Sequence, residues 1–249
     1  MARPLPTKPL PRIGTAGSSI PRDAADAFPG PGSHLERYAQ VLNCAEINSS
    51  FYRPPRPATW LRWAVSVPAN FRFSVKAPRT ITHEGALAPA PSLLQDFLAG
   101  ATLLAEKLGP LLFQLPPKLA FDPTKAETFF DHLRQLHPGP VALEPRHPSW
   151  FTPEVTDLLT SHDIARVAAD PARVPEAAHP ASSPTLRYYR LHGSPRIYYS
   201  PYPEDYLTTL AADITNQPQA ETWVIFDNTA SGAAIHNALS LTQLTHPVA

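Results

Sequence analysis

Charged and amide side chains close a series of short apolar runs along this 249-residue chain. Glu46 and Asn48 sit two apart in one such run, Lys76 ends another, and Gln114 falls within a third. Further along come Glu144 with Arg146 and His147, then Asp170, then Arg190 with His192, and finally Asp227 with Asn228. Two carboxylates in unlike surroundings can split their pKa values and serve as acid and base, which makes Glu46 and Glu144 the candidate catalytic pair. Lys76, Arg146 and Arg190 supply positive charge for a small polar or anionic ligand, with the remaining polar residues as further binding groups. The opposing reading locks each glutamate in an ion pair with Lys76, Arg146 or Arg190 and makes the group a rigid frame.

Other chemistries compete for these residues. Glu46, Glu144, Asp170, Asp227 and His192 could hold a divalent metal, as in isomerase- or endonuclease-like barrels. The positive charges of Lys76, Arg79, Arg146 and Arg190 offset the four carboxylates, however, and a neutralised cluster attracts a cation weakly. No metal and no other cofactor is expected. A Schiff-base role for Lys76 needs a desolvated site or a neighbouring cation, and with carboxylates at hand an ordinary ion pair is the expected state.

The stretch from Phe51 to Trp63 interleaves arginines with aromatics, as single-stranded nucleic-acid grooves do. Trp60 and Trp63 at helical spacing favour core packing instead, leaving Arg53 and Arg56 to steer anions. Trp150 either walls the site or covers the next helix. Tyr198, Tyr199 and Tyr202, in a proline-rich stretch after Gly193, form a lid or a packed surface loop. No Gly-x-Ser-x-Gly elbow occurs, and Cys44 opens its run away from the polar ends, so serine and cysteine nucleophiles rank low.

Eight short runs read as strands: 12–16, 44–48, 71–76, 111–115, 141–144, 164–169, 187–191 and 222–226. Capping boxes at Ser33/Glu36, Ser92/Gln95 and Thr124/Glu127 open helices, Gly109-Pro110 is read as the stop of the second, and Thr152-Pro153 opens another. Weaker helical patterns cover 57–65, 203–216 and 231–244. Pro171 to Pro184 holds four prolines and reads as a loop. Eight strand-then-helix units in this length fit a single-domain α/β protein with a (β/α)8 barrel, where all strand ends meet at one rim. Without a Gly-x-Gly-x-x-Gly turn, a doubly wound open sheet is the lesser alternative.

Composition agrees with a globular domain: 43% hydrophobic residues, 17% charged and a formal net charge of zero. A chain of 27.2 kDa can bury roughly 70% of its unfolded surface. Neutrality argues against nonspecific nucleic-acid binding. The charge is nonetheless segregated, with six basic and no acidic residues between Glu46 and Glu84, and five acidic and no basic residues after Arg196. A single cysteine, no secretory h-region and no membrane-spanning run together predict a cytoplasmic protein behind a proline-rich extension over 1–10. Nothing in the sequence sets an oligomeric state.

Several ordered motifs resemble the YecE-like family, domain of unknown function 72. They include Ile13-Gly-Thr-Ala-Gly17, Glu46-Ile-Asn-Ser-Ser-Phe-Tyr52, Phe71-Arg-Phe-Ser-Val-Lys-Ala-Pro-Arg79 with Ile81-Thr-His83, and Gly109-Pro-Leu-Leu-Phe-Gln-Leu-Pro-Pro117. Glu144-Pro-Arg-His-Pro-Ser-Trp-Phe151, Arg190-Leu-His-Gly193 and Phe226-Asp-Asn228 continue the match. The resemblance implies a TIM barrel over 11–249 with a polar pocket at its rim, and no particular reaction. Ser18 and Ile20 replace an aromatic pair usual in the family, and Asp227 replaces a neutral residue. The first functional reading is a metal-independent hydrolase or lyase using carboxylate acid/base chemistry. The alternatives are a non-catalytic ligand or nucleic-acid binder and a divalent-metal-dependent barrel.

Overall fold

Nine short strands carry the chain around a parallel sheet: β1 Arg12–Ala16, β2 Cys44–Ile47, β3 Arg72–Lys76, β4 Leu108–Gln114, β5 Val141–Glu144, β6 Ile164–Arg166, β7 Ala168–Asp170, β8 Leu186–Leu191 and β9 Glu221–Phe226. The computed structural model describes residues 10–216 and 219–245, so the proline-rich extension lies, but for Leu10, outside the described residues. The strand order is β6-β5-β4-β3-β2-β1-β9-β8-β7. β6 and β7 are halves of one run parted at Val167: the first half pairs with β5 and the second with β8. That shared run joins the two ends of the sheet, so the eight expected strands form a nearly closed barrel. The split arises because one segment must serve two differently directed neighbours.

Alternation separates two cores. Cys44, Leu112, Ala142, Tyr188 and Ile225 lie two residues before Glu46, Gln114, Glu144, Arg190 and Asp227, on the same side of their strands. They belong to one buried apolar cluster, with Ala165, Val167, Leu186 and Trp223, that fills the barrel beneath the charged groups. The alternate residues, such as Phe73, Val75, Phe113, Leu143, Tyr189 and Phe226, pack in a larger cluster with the helices.

The helices are α1 His34–Tyr38, α2 Pro57–Val65, α3 Pro91–Ala101, α4 Pro123–Leu136, α5 Pro153–Ser161, α6 Glu204–Thr215 and α7 Ala233–Thr245. The Ser33/Glu36 capping box forms as expected, although its helix has only five residues, and Thr152 caps Val155. The other two boxes do not form. Pro91 and Pro123 start their helices earlier, since proline lacks an N–H and favours the first helical position, and Asp122 rather than Thr124 caps α4. Between β7 and β8 the proline-rich stretch contains one 3-10 turn, Pro175–Ala178, and no α-helix. Among the described residues no helix is long and apolar enough to cross a membrane.

Gly109-Pro110 does not stop α3, which ends earlier; it lies inside β4. The register between β3 and β4 shifts at this point, as expected where proline removes a ladder donor. A Cβ on Gly109 would stand 2.5 Å from Cζ2 of buried Trp223 and 3.0 Å from the Phe73 carbonyl. Gly109→Ala should therefore cost about 1–3 kcal/mol by overpacking the barrel floor, read from the urea midpoint. An unchanged midpoint would show that the Trp223 ring can move aside.

Candidate functional site: a buried charge network at the strand ends

Arg190, on β8, is the centre of the barrel mouth. Its Nη2 and Nε donate to Glu46 Oε1 and Oε2 at 2.8 and 3.0 Å, spanning the barrel from β8 to β2. Its Nη1 reaches Glu144 Oε2 at 3.2 Å, and Nη2 also lies 3.0 Å from Asp227 Oδ2. One guanidinium thus serves three carboxylates, and neither it nor the two glutamates exposes more than 1% of its surface. Such a geometry exploits the planar fork of arginine, which a lysine could not reproduce.

Glu144 is saturated. Beside Arg190 it accepts from Gln114 Nε2 at 3.0 Å and meets Arg146 Nη2 at 2.6 Å and His192 Nε2 at 2.9 Å. Burial by itself would raise its pKa, but Arg146, His192 and Arg190 hold it well below the usual carboxylate range. His192 bridges to Asp227, its Nδ1 lying 3.0 Å from Oδ2. Burial opposes ionisation of Asp227 as well, and Arg190, His192 and Lys76 overcome it. For Arg190, burial disfavours the charge, while Asp227, Glu46 and Glu144 raise its pKa well above the ordinary value. Beneath Glu46, the Tyr188 hydroxyl stands 3.2 Å from Oε2 and 2.8 Å from Ser74 Oγ, which donates to the Pro110 carbonyl.

Lys76 departs from expectation. Its ammonium makes no ion pair among the described residues, because Arg190 and Arg146 already occupy the carboxylates. It rests over the Phe51 ring, 4.2 Å from the centroid, in a side chain only 6% exposed. Burial pushes its pKa down and Arg190 adds to this, while Glu46, Glu144 and Asp227 offset only part, leaving it at about 8.

The mouth unites Glu46, Lys76, Gln114, Glu144, Arg146, Arg190, His192 and Asp227. Asn48 lies just beyond β2, at the start of the 3-10 turn Ser49–Phe51, and its Oδ1 is buried with no hydrogen-bond partner among the described residues. Five expected site residues have other work. Asp170 is in register with outward-facing Leu191, so it points to the helix layer, where it accepts from the Tyr202 hydroxyl at 2.8 Å. Trp150 is buried against the segment that leads into α4, edge-on to Phe121, with its Nε1 donating to the Leu119 carbonyl. His147 caps the turn after β5, accepting from Ser149 N. Asn228 ties the loop after β8 to α7, donating to the Ser200 carbonyl and to Asn237 Oδ1. Tyr199 lies on the surface against Arg196.

The tyrosine that meets the network is Tyr198. Its ring lies 6.1 Å from His192, and its N–H donates to the His192 carbonyl at 2.6 Å. Its φ of 70° is a strained conformation for a bulky residue. No sequence signal separates it from Tyr199. Tyr188 and Ser74 could have been found, since each stands two residues before a recognised mouth residue. Trp60 is buried and packs edge-on against Trp63, as the core reading expected. No group of three or more His, Cys, Asp or Glu side chains among the described residues is arranged to hold a metal ion. The carboxylates that might have done so face guanidinium groups.

Fold and site together define a parallel α/β barrel whose strand ends converge on one buried charge network. The chain belongs to the family described as Protein of unknown function DUF72, whose model matches residues 12–248. It is 37% identical over 119 residues to UPF0759 protein YecE of Escherichia coli K12, an alignment covering 47% of this chain and 43% of that protein. It is 33% identical over 129 residues to UPF0759 protein YunF of Bacillus subtilis 168, covering 48% and 44%. The matched stretch thus spans less than half the length of these relatives. A DUF72 family protein from Enterococcus faecalis V583 superposes with a TM-score of 0.81 at 23% identity over 96% of both chains. One from Thermotoga maritima MSB8 gives 0.77 at 24% identity, over 94% of this chain and 98% of that one. These likenesses establish the single-domain barrel.

Proposed function

We propose that the barrel mouth is the active site of a metal-independent lyase or hydrolase acting on a small polar or anionic substrate. The observation that carries this reading is the ammonium of Lys76, without an ion pair among the described residues, beside a network in which every carboxylate already has a cationic partner. Arg146 adds a donor, since its Nε is buried with no hydrogen-bond partner among the described residues. Both features complement an anion. Glu46 and Glu144 act here as the fixed counter-charges that orient Arg190. Proton exchange with substrate falls to Lys76, whose pKa of about 8 lies near neutrality.

A melting series with inorganic phosphate, malonate and glyoxylate tests the site. A probe bound at one hundred times its Kd should add about 2.7 kcal/mol. For a chain of this size that corresponds to roughly 5–10 °C. The shift should vanish in Lys76→Met. No shift with any probe, or the same shift in the variant, would refute binding at the mouth.

A further inference from the structure

We infer that Lys76 captures its substrate covalently as an imine, which places that substrate among small anionic aldehydes and ketones. The inference deepens the reading above and rests on it. Three features support it.

The first is that the Lys76 ammonium makes no direct ion pair among the described residues. The carboxylates around Lys76 are held by Arg190 and Arg146, so no ion pair has to break before the amine can act. The second is a desolvated setting: the side chain is 6% exposed and lies over the Phe51 ring, with the cation Arg190 close enough to favour the neutral amine. With a pKa of about 8, roughly one amine in ten is neutral at pH 7. The third is Arg146, partly exposed and with Nε unpartnered, which can accept a substrate carboxylate or phosphate.

The ammonium releases a proton, and the amine lone pair attacks the carbonyl carbon. The C–N bond forms as the carbonyl π pair moves to oxygen, which takes up a proton while the nitrogen gives one up. The carbinolamine then loses its hydroxyl as water, with one more proton taken up, as the nitrogen lone pair makes the C=N bond. Overall one ammonium and one carbonyl yield one protonated imine and one water, with no change of oxidation state. The iminium is an electron sink for lyase chemistry at the neighbouring carbon.

Glyoxylate with borohydride provides the test, because hydride reduces the imine to a stable secondary amine that peptide mass mapping locates. At about pH 7 the adduct should favour Lys76 over exposed Lys118 by about tenfold or more. Its yield should be half-maximal near pH 8. Lys76→Arg, checked for fold by circular dichroism, should lose that adduct while the Lys118 background persists. If Lys76 is unmarked, or marked no more than Lys118, the covalent step is refuted. Should glyoxylate still raise the melting temperature in that case, the mouth remains a binding site and only the imine falls. If glyoxylate gives neither shift nor mark, the imine is refuted, and the noncovalent site is then judged by phosphate and malonate.

Discussion

Arg190→Met should lose about 3–5 kcal/mol of stability, read from urea unfolding, because it strands buried charge rather than merely removing a contact. Glu46 is fully buried, and both of its oxygens depend on this guanidinium; among the described residues only the Tyr188 hydroxyl would still hydrogen-bond to its carboxylate. Glu144 and Asp227 keep Arg146 and His192 in contact, so the loss concentrates on Glu46. For a chain of this size the melting temperature should fall by roughly 6–20 °C. Adding Glu46→Gln should return part of the loss, since the neutral amide costs less to bury unpaired. A loss below about 1 kcal/mol would mean that water enters the mouth freely and solvates Glu46.

Lys76→Met should have the opposite sign, stabilising the fold by about 3 kcal/mol at pH 7. The folded chain holds an ammonium whose pKa is depressed from 10.5 to about 8, so below pH 8 the unfolded state accommodates that proton more easily. For this nearly buried residue the depression corresponds to about 3 kcal/mol. Wild-type stability from this group should rise between pH 8 and 10.5, and the advantage of the variant should shrink across the same window. Paired urea titrations at pH 7 and pH 10 measure it. An advantage independent of pH would show that Lys76 titrates normally. Stabilisation joined to loss of binding is the expected mark of a residue kept for function.

The strands were legible because apolar runs of four to seven residues, bounded by caps and prolines, have few other uses in a chain this size. Arg12–Ala16 and Val141–Glu144 coincide with their expected limits. The misread boundaries lie at Gly109-Pro110, Ser92 and Thr124, where a proline works within a strand or one helical turn earlier than local pattern suggests. Among the site residues, Glu46, Arg190 and His192 were recoverable from period-2 alternation. Asp170 was misplaced although alternation runs unbroken through that segment: Ala165 and Val167 face inward while Ile164, Ala168 and Asp170, in register with Leu191, face the helices, and apolar residues on both sides of the run hide which face is which.

Local pattern by itself determined the family, the strands, their inward faces and the roster of acids and bases near one end of the barrel, all of which depend on residues a few positions apart. Tertiary structure decided which acid meets which base. Arg190 and Glu46 are 144 residues apart in the chain yet 2.8 Å apart in space, and that closeness leaves Lys76 without an ion-pair partner among the described residues. Coulomb energy and hydrogen bonding change over a few ångströms, whereas sequence spacing is silent about distances across a closed barrel.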